Sequence, residues 1–270
     1  MSAIVLTCAL FCTPLFQEKG TIRLRYNKGD RVSVSGLDKL VGTYTLTSGT
    51  QKKDWTQRGE SQIAYDDEIV DLDAEGRPNH VRRAVRDWTE KIQLPGQSET
   101  TETKTAKGKT LTLKLRGGRT SIEGDTLSPE DRKKIRLSSA ILRSLPKGEI
   151  AVGFSWAVEE KELIRDFEED KAPEDPLTVR IAKGGGRLTK LAAGRATVAF
   201  DIEASGDNGV GLNTSLRVKA TVEIDCRAGR LLSIRSEGTI DVSGKIEQGG
   251  QESAVQGKVT FENSSEFRIP

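Results

Sequence analysis

Between Leu212 and Cys226 the chain alternates without a break. Leu212, Thr214, Leu216, Val218, Ala220, Val222, Ile224 and Cys226 fall on one parity; Asn213, Ser215, Arg217, Lys219, Thr221, Glu223 and Asp225 fall on the other. Neighbouring side chains of a strand point to opposite faces, so this predicts a long strand with one buried and one wet face. The helical period of about 3.6 cannot produce it. Beyond a short hairpin turn at Ala228-Gly229-Arg230, Leu232, Ile234, Ile240 and Val242 continue the apolar parity, with Arg235, Glu237 and Asp241 opposite.

The same grammar recurs through most of the chain. Val198, Phe200 and Ile202 share a face, as do Val259 with Phe261, Leu111 with Leu113 and Leu115, Ile22 with Leu24 and Tyr26, and Leu40 with Tyr44 and Leu46. Turn signals at Asn27-Lys28-Gly29-Asp30, Glu75-Gly76-Arg77-Pro78, Gly184-Gly185-Gly186, Gly206-Asp207-Asn208-Gly209 and Gly249-Gly250 separate the runs. One-sided strands joined by short loops predict an antiparallel meander rather than βαβ units.

Two segments read as helices. Over 128–145, Ser128 stands as N-cap, Pro129 at the first helical position and Pro146 as the stop; Ile135, Leu142 and Leu145, with Ser138 in register, form an apolar stripe. Over 159–169, Leu163, Ile164 and Phe167 anchor a shorter helix. The expected fold class is mainly β (α+β): a large curved antiparallel sheet or half-barrel meander with two helices packed on it. Residues 20–148 read as an N-terminal β-rich half ending in a helix and 149–270 as a C-terminal meander half, and the two can share one sheet.

Charge narrows the partners. Against 42 basic side chains stand 40 acidic ones, a net of +2, so no global field favours nucleic acid. Aromatics at 5% are too sparse for the interfacial girdles of an outer-membrane barrel. The uncharged run from Ala3 to Phe16 is too short to span a membrane and has the length of an export-signal core, although no positive charge precedes it. Residues 1–19 are read as that signal and the mature protein as periplasmic or secreted; the other reading of the run is a first buried strand. Cys8 and Cys12 fall inside it, and Val5-Leu6-Thr7-Cys8 is a poor lipobox, which leaves Cys226 as the one cysteine of a mature chain.

Gly153-Phe154-Ser155-Trp156-Ala157 falls one methyl group short of a G-x-S-x-G nucleophile elbow. A serine nucleophile needs a base, and the single histidine, His80, lies upstream, against the Ser-acid-His order of that fold. Lys147 and Lys161 are conceivable bases that nothing singles out. Ser155 is therefore read as structural, with Trp156 anchoring the sheet. Asp71, Asp73, Glu75 and Gly76 imitate the start of a calcium loop, but Arg82 stands where the last ligand belongs. Gly184-Gly185-Gly186 lacks the ending of a phosphate loop and reads as a flexible hairpin. Arg82 and Arg86 share parity with Trp88 while Arg83 does not, which predicts solvated strand faces with Trp88 at an edge rather than a nucleic-acid platform. The basic residues Arg132, Lys133, Lys134, Arg136, Arg143 and Lys147 make peripheral membrane contact through helix 128–145 conceivable, with docking on the sheet the simpler reading. Cys226 ends an apolar face and reads as a small buried hydrophobe. No catalytic, cofactor-binding or metal-ligating set is predicted.

Asp73-Ala74-Glu75-Gly76-Arg77-Pro78, the Leu145-Pro146 segment, Gly153-Phe154-Ser155-Trp156 and the closing meander together resemble a family of uncharacterised exported β-rich bacterial proteins with a D-x-x-G-R-P hairpin and a G-x-S-W turn. The resemblance runs from about Asp66 to the end. It implies a fold and an exported location but no catalytic residues, and Phe154 stands where an acid is common in that pattern. The function expected is an exported, non-enzymatic binding or carrier-like protein of the cell envelope with an apolar or lipid-like ligand; whether the apolar face is a trough or a filled core is left open by the sequence. The alternative is a structural or protein-interaction module with a packed interior.

Overall fold

The computed structural model describes residues 19–117, 119–124, 127–137, 139–169, 178–207, 211–248 and 251–269. Apart from Lys19, the segment read as an export signal, with Cys8 and Cys12, lies outside these residues. In chain order the elements are β1 (Lys19–Thr21), β2 (Arg31–Ser48), β3 (Gln51–Leu72), β4 (Pro78–Gln93), β5 (Thr100–Thr103), β6 (Thr110–Arg116), β7 (Arg119–Gly124), α1 (Pro129–Lys134), α2 (Ala140–Arg143), β8 (Glu149–Ala151), β9 (Ser155–Val158), α3 (Glu160–Glu169), β10 (Thr178–Ala192), β11 (Arg195–Asp207), β12 (Leu212–Asp225), β13 (Arg230–Gln248) and β14 (Gln251–Arg268).

Twelve strands form one curved, open antiparallel sheet in the order β7-β6-β4-β3-β2-β14-β13-β12-β11-β10-β9, with β5 beside β4. Five consecutive strands, β10 to β14, form a meander, and β14 then pairs with β2 from Thr47–Ala254 to Ser33–Arg268. That pairing joins the early and late strands of the chain.

The alternation of β12 is kept. Ala220, Val222 and Ile224 are buried, Leu212 to Val218 on the same parity are half-buried, and Asn213, Arg217, Lys219, Thr221 and Glu223 are exposed. Two clusters occupy the apolar face. One gathers Val198, Phe200, Val222 and Ile224 with Ile22 and with Ala140 and Leu163 from the helices. The other gathers Val34, Val81, Val85, Trp88, Leu111 and Leu113 with Ile135. Phe267 touches both, so the clusters sit on the same side of the sheet.

Two clusters explain why the expected 128–145 helix breaks. Ser128 does cap α1, its hydroxyl accepting from the Asp131 amide at 3.1 Å. Ile135 then turns extended and plugs into one cluster, while Ser139 caps α2 so that Ala140, Leu142 and Leu145 enter the other. A straight helix could not present its stripe to both, and the basic segment is therefore no continuous amphipathic helix. Ser138 lies outside the described residues. α3 forms as expected, with Leu163 buried and Glu160 and Glu162 in the first turn, where acids complement the helix dipole; the side chain of Phe167 lies outside the described residues.

Three further expectations are corrected. Gly184-Gly185-Gly186 is strand, inside β10 and paired on both sides. A Cβ on Gly186 would stand 2.5 Å from the Trp156 ring and 2.8 Å from Phe200, so the glycine makes room for aromatic rings instead of a turn. In β4 the register skips Arg86, since Ala64 faces Asp87 and Tyr65 faces Val85. This bulge swings Trp88 to the side of Val81, Arg83 and Val85, where it is 2% exposed. In β13 a bulge puts Leu231, not Leu232, opposite Ile224 in the core. Ile22, Leu24 and Tyr26 alternate as expected but make no ladder; the Arg25 amide donates to Gly229 O at 2.7 Å and the segment bridges the two clusters. The turns at Asn27–Asp30, Glu75–Pro78 and Ala228–Arg230 lie between strands as expected, whereas Asn208, Gly209, Gly249 and Gly250 lie outside the described residues.

Candidate functional site

The sheet itself presents the largest surfaces. Residues facing each other across antiparallel strands point the same way, so the register defines rows that run across it. Ser236, Asn263, Asp38, Ser61 and Glu90 form a polar row on the apolar face. At its end Glu90 is 6% exposed and held by Lys104 at 2.9 Å and by Lys134. Burial alone would raise the Glu90 pKa, but these two ammonium groups outweigh it and hold the carboxyl below its usual range. Asp38 is open to solvent, yet its crowded setting and the Glu90 charge push its pKa up, with Lys134 opposing.

Beyond that row, the described helices no longer cover the apolar parity. Leu40, Phe261, Val218, Ile240, Leu216, Tyr44, Val242, Trp55, Leu46 and Ile246 are all half-buried there, although no described segment outside the sheet belongs to a cluster with their outer members. The rings lie down on glycines. A Cβ at Gly42 or Gly257 would stand 2.7 or 2.5 Å from the Tyr44 ring, and one at Gly238 would stand 2.5 Å from Phe261. Tyr44 stacks on Trp55 with centroids 5.5 Å apart. These rings and aliphatic chains build a flat strip, with Val255 and Val259 buried between the larger groups.

Grooves of about 660, 370 and 750 Å³ run along the same central strands. The walls of the first are the rows of Lys39, Glu262, Glu237, Lys219 and Asp201 and of Val41, Thr260, Thr239, Arg217 and Glu203, which share the opposite parity. These grooves therefore lie on the charged face. Of the two states of the apolar face that the sequence leaves open, a trough or a packed interior, the structure has a packed interior at one end and a flat strip at the other. Charges of both signs line the grooves, the facing pair Glu237 and Glu262 standing between Lys39 and Lys219 and Lys183 on Glu203 at 2.8 Å beside them, which suits water better than a polyanion.

The chemical motifs are dispersed. Ser155 opens the short edge strand β9, and its hydroxyl, exposed, donates to Gly153 O at 3.5 Å. His80 lies on β4, with seven strands between it and β9 in the sheet order. Lys147 is paired with Glu75 and Lys161 with Glu159, each at 2.6 Å, so neither serves Ser155. Trp156 stacks on Phe154 and meets Phe200 edge-on, an anchoring contact of the kind expected. The calcium-like stretch is a hairpin turn: Asp73 accepts from the Glu75 and Arg77 amides and from Arg77 Nε, Asp71 pairs with Lys28, and Gly76 takes a φ of 77°. Arg82 sits on Glu68, Arg86 on Asp66 and Arg83 on Asp67, which cancels the supposed basic platform. Among the described residues no group of three or more His, Cys, Asp or Glu could hold a metal. Burial raises the pKa of the half-buried Cys226 thiol, which disfavours the thiolate.

Sequence reasoning missed the ion pair Arg83–Asp67. Its two bonds, 2.7 and 2.8 Å, are nearly enclosed, and the guanidinium stacks 3.7 Å over Tyr65 and donates to Arg136 O. The adjacent acid run on β3 was the available signal.

No family model and no curated protein matches the chain. Among solved structures it is similar to lipovitellin, from a study of lipid-protein interactions in that protein, with TM-score 0.36 and 9% identity over 90% of this chain. The chain spans 25% of the lipovitellin chain. It is also similar to DynF from the dynemicin biosynthesis pathway of Micromonospora chersina, with TM-score 0.20 and 8% identity over 97% of this chain and 92% of that one.

Proposed function

We propose that this chain is a non-enzymatic binding or carrier-like protein of the cell envelope, whose uncovered apolar strip takes an apolar or lipid-like ligand. One observation carries the reading: the parity that is packed beneath helices at one end of the sheet continues, still apolar and half-buried, where no described helix lies over it. A sheet face of this kind is ordinarily covered by a second layer, and contiguous exposed apolar area marks a place of contact. Covering it would return about 25 cal/mol per Å² of apolar surface. The envelope location is supported by the apolar run Ala3–Phe16.

The rings lying over Gly42, Gly238 and Gly257 favour a second reading, an interaction module whose sheet is closed off by its own side chains. Native mass spectrometry of the purified chain, with an organic extract of the same sample, separates the two. A co-purifying amphiphile, together with apolar-dye binding that falls at least several-fold in Leu46→Lys while the melting temperature holds, supports the carrier. Absence of any amphiphile and dye binding indifferent to Leu46→Lys refutes it.

A further inference from the structure

The polar row between the packed interior and the strip holds an acid without a counterion. β2 and β3 pair with no bulge from Arg31–Glu68 to Ser48–Gln51, so Asp38 stands on the apolar face two residues from Leu40, with Ser61 beside it on β3 and Asn263 on β14. Glu90 holds Lys134 and, together with Glu102, Lys104. Asp38 makes no ion pair with a described residue. Of the charges that reach it, the repulsion of Glu90 exceeds the attraction of Lys134. Asp38 is exposed, so a cation has access to it from solution.

From this acid the strip opens along β3. A Cβ at Gly59, one row further on, would meet only Lys91 O at 3.9 Å and Leu40 Cβ at 4.0 Å, whereas one at Gly42, Gly238 or Gly257 would strike a ring. The face therefore dips over Gly59, between the half-buried Leu40 and Ile92, and the dip leads toward Trp55. Six residues of β3 separate Ser61 from Trp55, about 20 Å at the rise of a strand. Across β3, β2, β14, β13 and β12 the strip has a similar width at about 4.8 Å per strand, so its area is on the order of 400 Å². A stable dimer buries about 800 Å² on each partner, so the strip is too small for a second copy and has the size of a lipid-like molecule. We infer that the ligand of the strip is a primary alkylammonium amphiphile, its chain over Gly59 beside Leu40 and Ile92 and its ammonium on the Asp38 carboxylate, with Ser61 and Asn263 as further acceptors. This rests on the strip being a ligand site and adds the charge of the head. A carboxylate head would join Asp38 and Glu90 as a third negative charge, and an alcohol gains no charge-assisted bond.

Decylamine, protonated at pH 7 as a lysine side chain is, is compared with decanol and decanoate by calorimetric titration into the full chain. Decylammonium is expected to bind at least about tenfold more tightly than decanoate, with decanol between them, and added salt to narrow the spread because Asp38 is open to solvent. The net charge of the chain, +2, favours the carboxylate, so the expected order reports the local acid. Asp38→Asn should bring decylammonium down to the affinity of decanol without lowering the melting temperature at pH 7, and Asp38→Glu should keep part of the preference. Decanoate binding as tightly as decylammonium, a preference for decylammonium that survives Asp38→Asn, or no binding of decylammonium overturns the inference. Failure of the strip itself shows elsewhere, as apolar-dye binding indifferent to Leu46→Lys. Dye binding that Leu46→Lys abolishes, with no order among the three heads, leaves the strip a site and removes the ammonium from it.

Discussion

The Arg83–Asp67 pair offers the sharpest test of how the N-terminal cluster is held. The Arg83 side chain is 6% exposed and that of Asp67 13%, and two bonds of 2.7 and 2.8 Å join them. A charge-assisted bond contributes about 1.5–3 kcal/mol, so two bonds set the scale at about 3–6 kcal/mol. Removing one partner of a buried pair costs about 3–5 kcal/mol, because the other charge stays out of water unpaired. Arg83→Met and Asp67→Leu should each lose that much in urea unfolding. The arginine change should lose more, since it also gives up the Tyr65 face and the Arg136 carbonyl. The double variant has no stranded charge and should return to within about 1–2 kcal/mol of the parent, with an unchanged urea slope. Single variants that lose less than about 1 kcal/mol, the worth of an exposed pair, would refute the burial argument. A double variant as unstable as the sum of the singles would refute the coupling.

Two further outcomes follow from other residues. Val222 is 0% exposed, and a carboxylate there costs several kcal/mol of a total on the order of 5–15 kcal/mol, so Val222→Asp should yield no cooperatively melting protein; a normal melt would mean the faces of β12 are misassigned. Asp38 has a raised pKa in the folded state, so its contribution is fully present below the unfolded aspartate value of about 3.9 and is lost as pH rises through the folded value. Asp38→Asn should therefore melt higher than the parent at pH 7 and alike at pH 3, and a gap of the opposite sign at pH 7 would contradict the crowding argument.

What the sequence made legible was local. The parity of Leu212–Cys226, the Ser128 cap and the turn at Gly229 follow from backbone geometry that each short stretch carries by itself. The misreadings arose where a distant partner decides. Gly184-Gly185-Gly186 looks like a loop until Trp156 and Phe200 are seen to need the space. Arg86 gives no sign of being skipped, yet one skipped residue reverses every parity argument downstream, and Trp88 passes from edge to core. The break at Ile135 depends on two clusters whose separation is a property of the whole sheet. The same holds for the candidate site: Tyr44 and Leu46 were visible as an apolar face, but which part of that face the described helices leave uncovered is set by where α1, α2 and α3 dock.

The place of β14 between β13 and β2 orders events during folding. Thr260 donates to Val41 O across 219 residues of chain, so the two flanks of the sheet can be complete while the seam between them is open. Closing so long a loop is entropically costly and slow. Until it closes, β2 waits with a full row of unpaired amides and carbonyls, the kind of template that recruits foreign strands. The vulnerable moment of this protein's life is therefore before the seam is made, and a chaperone that shields β2 would act at that step.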